Sequence, residues 1–200
     1  MIAIRNVLLL VAAACSSPAV KPKLSGSGAT MTDTSCATAI RDLAAGNIAS
    51  ARLPATCTVA EATAALAALA QARDATGTLG TDRVQARWRA MDTGIAGERL
   101  RLWHDGSNVL ALELEAPRPA GGWDALRAAL GDPDAKLAFW DGVVESKDGQ
   151  WVYAARGLAV FTTLADTEVT RVVAFPPTTV ATYRARLARA TEAPREIEGT

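Results

Sequence analysis

The chain has 200 residues, of which 21 are basic, 21 acidic and about half apolar; that is the size of one domain or two small ones. Balanced charge excludes a basic nucleic-acid module and the apolar half excludes a disordered chain. No apolar run reaches the roughly 18–20 residues that cross a bilayer. One histidine, three cysteines and few aromatic residues leave little from which to build a haem pocket, a zinc cage or a histidine relay, so no cofactor, no metal and no nucleic-acid partner are expected.

The chain opens with one charge, Arg5, then Val7-Leu8-Leu9-Leu10-Val11-Ala12-Ala13-Ala14, then Cys15. A charged start, an apolar middle and small residues at the end are the layout of an export signal, here residues 1–14. Ala12-Ala13-Ala14-Cys15 resembles the lipobox of bacterial lipoproteins. That resemblance implies removal of the signal and acylation of Cys15, which makes membrane lipid a partner. Ser16 resembles the outer-membrane default of such proteins, which implies the cell envelope, at the outer membrane and facing the periplasm. An ordinary secretory signal with an incidental cysteine is the competing reading. Residues 15–33, rich in Ser, Gly and Pro, bury too little to offset their ordering entropy and read as a tether.

Cys36 and Cys57 then remain in an oxidising compartment, where an even pair reads as a disulfide. Closing a loop of about twenty residues is worth roughly 3 kcal/mol on the chain-entropy account. Two buried free thiols are the alternative.

The body of the protein spans residues 34–192. Asp33 or Thr34 is expected to cap a helix running to about Ala45, stopped by Gly46. Thr58 and Glu61 form a capping box. Val59, Ala62, Leu66, Leu69 and Ala70 follow on one helical face, and Gly77 and Gly80 end the segment. From Val84 the period becomes two: Val84, Ala86, Trp88 and Ala90 alternate with arginines and Gln85, a half-buried strand. Leu100, Leu102 and His104 alternate with Arg99, Arg101 and Trp103. Asp105-Gly106 suits a two-residue hairpin turn leading into a strand over Val109–Glu115, closed by Pro117 and Pro119.

The same order follows again. Trp123, Leu126, Ala129 and Leu130 lie on a helix stopped at Gly131. Strands are expected at Phe139–Lys147 and Gln150–Ala155 around an Asp148-Gly149 turn, and at Leu158–Thr163 and Val169–Phe175. Thr178 or Thr179 caps a last helix, with Val180, Tyr183, Leu187 and Ala190 on one side, and residues 193–200 form a polar tail.

The expected fold is α+β: an antiparallel sheet with helices on one face, in two tandem units of a helix plus three or four strands at 58–117 and 122–177. Leu79-Gly80 and Leu130-Gly131 are taken as the matching helix-to-strand joints. The helix ending in Leu130-Gly131-Asp132-Pro133, followed by the strand with Trp151 and Tyr153, resembles the fold of the β-lactamase-inhibitor proteins and of small outer-membrane lipoproteins of the SmpA/OmlA type. The resemblance implies a tandem α+β architecture and transfers no functional residue.

Three groupings could carry chemistry. His104-Asp105-Gly106-Ser107 holds the side-chain types of a serine hydrolase, but neighbours along a strand point to opposite faces and no nucleophile turn is present. Asp132 and Asp134 lack the spacing of a calcium loop. Arg87, Arg89, Arg99 and Arg101 are expected on one sheet face with Trp103, either as a docking surface rich in hot-spot residues or as a cross-strand charge ladder with Glu113 and Glu115. No catalytic residue is assigned. The expected role is a non-catalytic binding or structural module, with another envelope protein as a candidate partner. Inhibition of an extracytoplasmic hydrolase is the alternative, and a hydrolase using Asp/Glu or His104 ranks below it.

Overall fold

The Thr58–Glu61 capping box forms as its spacing dictates. In the computed structural model the Thr58 amide donates to Glu61 Oε2 at 3.0 Å and the Glu61 amide donates to Thr58 Oγ1 at 3.3 Å. The structure describes residues 35–67, 72–79, 84–91, 97, 99–137, 148–163 and 166–188. The signal, Cys15, the tether, the strand expected at 139–147, Leu69, Ala70, Ala190 and the tail lie outside these residues.

Helix α1 (Cys36–Ala44) is capped by Ser35, whose hydroxyl accepts from the Thr38 amide, one residue later than expected. Gly46, at φ 80°, ends it in the left-handed region. Helix α2 (Val59–Ala67) follows the capping box. A disulfide joins Cys36 to Cys57, with Cα atoms 5.1 Å apart, so the start of α1 is fastened to the foot of α2.

The expected continuation of α2 toward Gly77 is replaced by strand β1 (Ala72–Leu79), which pairs along its whole length with β2 (Val84–Met91). Thr76 and Thr78 favour a strand and Gly77 weakens a helix, so the ladder to β2 decides the outcome. Leu79 therefore ends a strand, and Leu79-Gly80 does not correspond to Leu130-Gly131. Strands β3 (Arg99–His104) and β4 (Val109–Glu115) form a hairpin with a bulge at Trp103/His104. Its connection has four residues rather than two, because Asp105 Oδ1 accepts from the Ser107 and Asn108 amides at 2.9 and 2.8 Å, a side-chain turn that takes in the extra residues.

Helix α3 (Gly122–Leu130) buries Trp123, Leu126 and Leu130 and leaves Ala129 exposed. Gly131, at φ 76°, stops it. Next come β5 (Ala135–Leu137), β6 (Asp148–Tyr153), a single 3-10 turn over Ala154–Arg156, β7 (Leu158–Thr163) and β8 (Val169–Ala174). Asp148-Gly149 is not a turn but part of β6, opposite Thr163 and Thr162. The bare Gly149 backbone is approached by Thr162 and Asp166, which accounts for a glycine there. Helix α4 (Val180–Arg186) starts at Thr179, whose hydroxyl accepts from the Thr182 amide.

The eight strands form one antiparallel sheet in the order β1-β2-β3-β4-β8-β7-β6-β5. Each of α2 and α3 is thus followed by a four-stranded meander. The last strand of one meander pairs with the last strand of the other, Leu112↔Ala174 through Glu115↔Arg171, giving the sheet an approximate two-fold arrangement about its centre.

Residues directly opposed across a ladder share a face, so the registers sort the core in two. On one side Leu100, Leu102, Leu112, Leu114, Val160 and Val172 pack with α1, α2 and α3. On the other, Trp103, Ala111, Val152, Ala159, Phe161 and Val173 pack with Phe175 and Tyr183. Tyr183 belongs to α4, so the helices occupy both faces rather than one. The connection from β6 to β7 passes through Gly157, where φ is 70° and an added Cβ would lie 2.0 Å from the Phe175 carbonyl oxygen.

Candidate functional site

The arginine face expected from alternation does not form as such. Arg87 pairs opposite His104 and Arg89 opposite Leu102, whereas Trp88 and Ala90 oppose Trp103 and Arg101. The β2–β3 register therefore sets Arg87 and Arg89 at positions of the leucine side and Arg99, Arg101 and Trp103 at positions of the other. Alternation within each strand is correct, but the relative register of two strands is a tertiary property.

Nor is the remaining group an open surface. Trp103 is fully buried, and Arg101 and Glu113 are 7% and 2% exposed. Glu113 accepts from Arg101 Nη1 at 3.2 Å, Trp103 Nε1 at 2.9 Å and Arg171 Nη1 at 3.4 Å. Glu115 pairs with Arg101, and with Arg99 at 3.8 Å. Burial pushes the Glu115 carboxyl above the usual range, against the pull of Arg101. This is the charge ladder, extended across the β4–β8 seam by Arg171. It closes the centre of the sheet and leaves little of Arg101 or Trp103 for a partner to touch.

In the His104–Ser107 group, the His104 and Asp105 side chains both bond to the backbone of the turn. His104 Nδ1 accepts from the Gly106 amide at 3.2 Å. Asp105 holds the turn, and its acceptance from Asn108 and Ser107 amides keeps its carboxyl below the ordinary value. The same hairpin is stitched to the foot of α2, where the Val109 amide donates to the Cys57 carbonyl at 2.9 Å and the Val59 amide donates to the Ser107 carbonyl at 3.0 Å.

Asp132 and Asp134 separate in role. Asp134 Oδ2 accepts from the Ala155 amide at 3.0 Å, bracing the 3-10 turn. Asp132 is exposed and lines a solvent-open cleft of about 620 Å³ with Asp124, Arg127, Gly131, Pro133 and Trp151. Helix α3 supplies Asp124 and Arg127, the glycine-stopped turn supplies Gly131–Pro133, and β6 supplies the half-buried Trp151.

Trp151 is held from several directions. Its Nε1 donates to Asp166 Oδ1 at 3.1 Å, the Trp123 ring meets it edge-on at 5.1 Å between centroids, and Lys136 Nζ stands 4.4 Å from its centroid. Asp166 also accepts from Thr162 Oγ1 at 2.6 Å and Lys136 Nζ at 2.5 Å. Burial alone would raise the Asp166 carboxyl, but the bonds from Lys136, Thr162 and Trp151 outweigh it and hold the group below its ordinary value. The Tyr153 hydroxyl donates to the Gly131 carbonyl at 3.2 Å, fixing the turn at the cleft mouth. Trp151 is half-buried and packs against the leucine-side core. Across the β5–β6 ladder Trp151 opposes Lys136, a charged residue, and that pairing is set by register, which no local pattern in the chain encodes.

Among the described residues no group of three or more His, Cys, Asp or Glu is placed to hold a metal ion, and no helix is long and apolar enough to cross a membrane. The fold and cleft together define an α+β protein with a doubled antiparallel meander. No protein-family model, curated protein or solved structure matches the chain.

Proposed function

We propose that this chain is a lipid-anchored protein of a bacterial cell envelope, tethered through an acylated Cys15, whose α+β body acts as a non-catalytic binding or structural module. The observation that carries the reading is the Cys36–Cys57 disulfide. Structural disulfides persist in oxidising, extracytoplasmic compartments, which agrees with an export signal and Ala12-Ala13-Ala14-Cys15 at the start of the chain. Acylation at several points exceeds the marginal hold of one chain and makes attachment stable. The resemblance of Leu130-Gly131-Asp132-Pro133 and the Trp151–Tyr153 strand to β-lactamase-inhibitor and SmpA/OmlA-type proteins is in keeping with an envelope role. A non-catalytic role is supported by the residues with hydrolase chemistry: Asp105 and Asp134 hold backbone amides and His104 accepts one.

The test is detergent-phase partitioning of the full chain produced in a didermal bacterium, with mass spectrometry of its mature N-terminus. The wild type is expected to enter the detergent phase carrying acyl chains on Cys15, and Cys15→Ser to remain in the aqueous phase. An unacylated, water-soluble wild-type product retained inside the cell would overturn the proposal.

A further inference from the structure

We infer that the cleft between α3 and the Gly131–Pro133 turn binds a pyranose ring of an oligosaccharide, with the Trp151 indole as its platform and Asp132 and Arg127 as its hydroxyl partners. This rests on reading the body as a binding module and supplies the class of ligand.

The cleft's volume of about 620 Å³ is within the usual range for small-molecule sites. Its wall combines the accessible part of the half-buried Trp151 indole with a few polar groups. A sugar ring has a matching duality: one face lined by C–H bonds, and a rim of hydroxyls that both donate and accept. The C–H face, slightly positive, suits the negative face of an indole. The rim needs acceptors and donors side by side, and the cleft offers the carboxylates of Asp124 and Asp132 beside the guanidinium of Arg127. Carboxylates only accept and guanidinium only donates, so the pair reads both ends of a hydroxyl. Two carboxylates against one guanidinium in the lining do not suit a phosphate or another anion.

Pre-organisation favours the same assignment. Trp151 is fixed by Asp166, Trp123 and Lys136, so little rotamer freedom is lost on stacking. Lys136 does not line the cleft, whereas Arg127 stands 5.6 Å from the ring centroid, a loose contact that an exposed arginine exchanges for ligand hydroxyls. Gly131 has open space where a Cβ would be, leaving room at the turn for a ring to lie over the cleft.

Titration calorimetry of the full chain, in a detergent without a sugar headgroup, tests this with β-1,4-linked tetramers of N-acetylglucosamine and of glucose. Saturable binding of at least one is expected. Trp151→Ala should weaken it ten-fold or more, Asp132→Ala and Arg127→Ala several-fold each, and Trp151→Phe less than Trp151→Ala. Asp132 and Arg127 are exposed, so those two variants keep the fold even if Trp151→Ala does not. Preference for the N-acetylated tetramer would identify a wall-type glycan, and equal affinity would identify the pyranose shape alone; both support the inference. Absence of saturable binding to either tetramer, or affinity unchanged in Asp132→Ala and Arg127→Ala, overturns it. An acylated protein that binds neither sugar sinks only this inference, and a sugar-binding protein without acyl chains sinks only the envelope reading.

Discussion

Replacing Glu113 by glutamine should be among the most damaging near-isosteric changes in the sheet. The carboxylate is 2% exposed and accepts from Arg101, Trp103 and Arg171. Glutamine keeps the shape but removes the charge, and it turns one acceptor into a donor facing donors. Removing one partner of a buried ion pair costs about 3–5 kcal/mol, because the other charge stays buried without compensation. Glu115 still faces Arg101 and Arg99, which places the expected cost near the lower end, about 3 kcal/mol. At about 2–4 °C per kcal/mol for a domain of this size, the melting temperature should fall by about 6–12 °C. Calorimetry in low and high salt is the assay, since screening weakens exposed pairs far more than buried ones. Replacing Glu113, Arg101 and Arg171 together by leucine or methionine should recover much of the loss. A fall under about 2 °C, or one that high salt abolishes, would refute the claim that this network is a buried and charged part of the core.

Gly157→Ala should cost at least about 3 kcal/mol, because φ is 70° and the new methyl would meet the Phe175 carbonyl; a thermal melt within about 2 °C of wild type would contradict this. Stability should also fall in acid. Asp166 has a folded-state value below its ordinary 3.8, so its contribution is present above that value and is lost as pH drops through the lower folded value. Asp166→Asn should therefore lower stability at neutral pH and flatten the acid limb of the stability curve, whereas Glu115, shifted upward by burial, acts with the opposite sign. Urea midpoints from pH 2 to 7 would show it, and an unchanged acid limb would count against the Asp166 cluster.

What could be read directly from the sequence concerns contacts made within a few residues. The Thr58–Glu61 box, the stops at Gly46 and Gly131, the helix over Trp123–Leu130 and the alternation of β3 and β4 depend on hydrogen bonds and side-chain periods spanning one turn or one strand. The disulfide was expected from cysteine number and compartment. The sequence misled where distant partners compete with local preference: β1 in place of a longer α2, Asp148-Gly149 inside β6, and α4 on the far face.

The charged sheet centre shows the division most clearly. Alternation along β3 and β4, readable from the residues alone, interleaves Arg99, Arg101 and Trp103 with leucines and puts Glu113 and Glu115 at strand spacing. Strand pairing is what puts Arg87 and Arg89 at positions of the other side, brings in Arg171 from 58 residues away to complete the network and buries Trp103. Pairing register and burial arise from ladders between strands remote in the chain. No short-range pattern encodes them, because a shift of one residue leaves the pattern intact and exchanges the two faces.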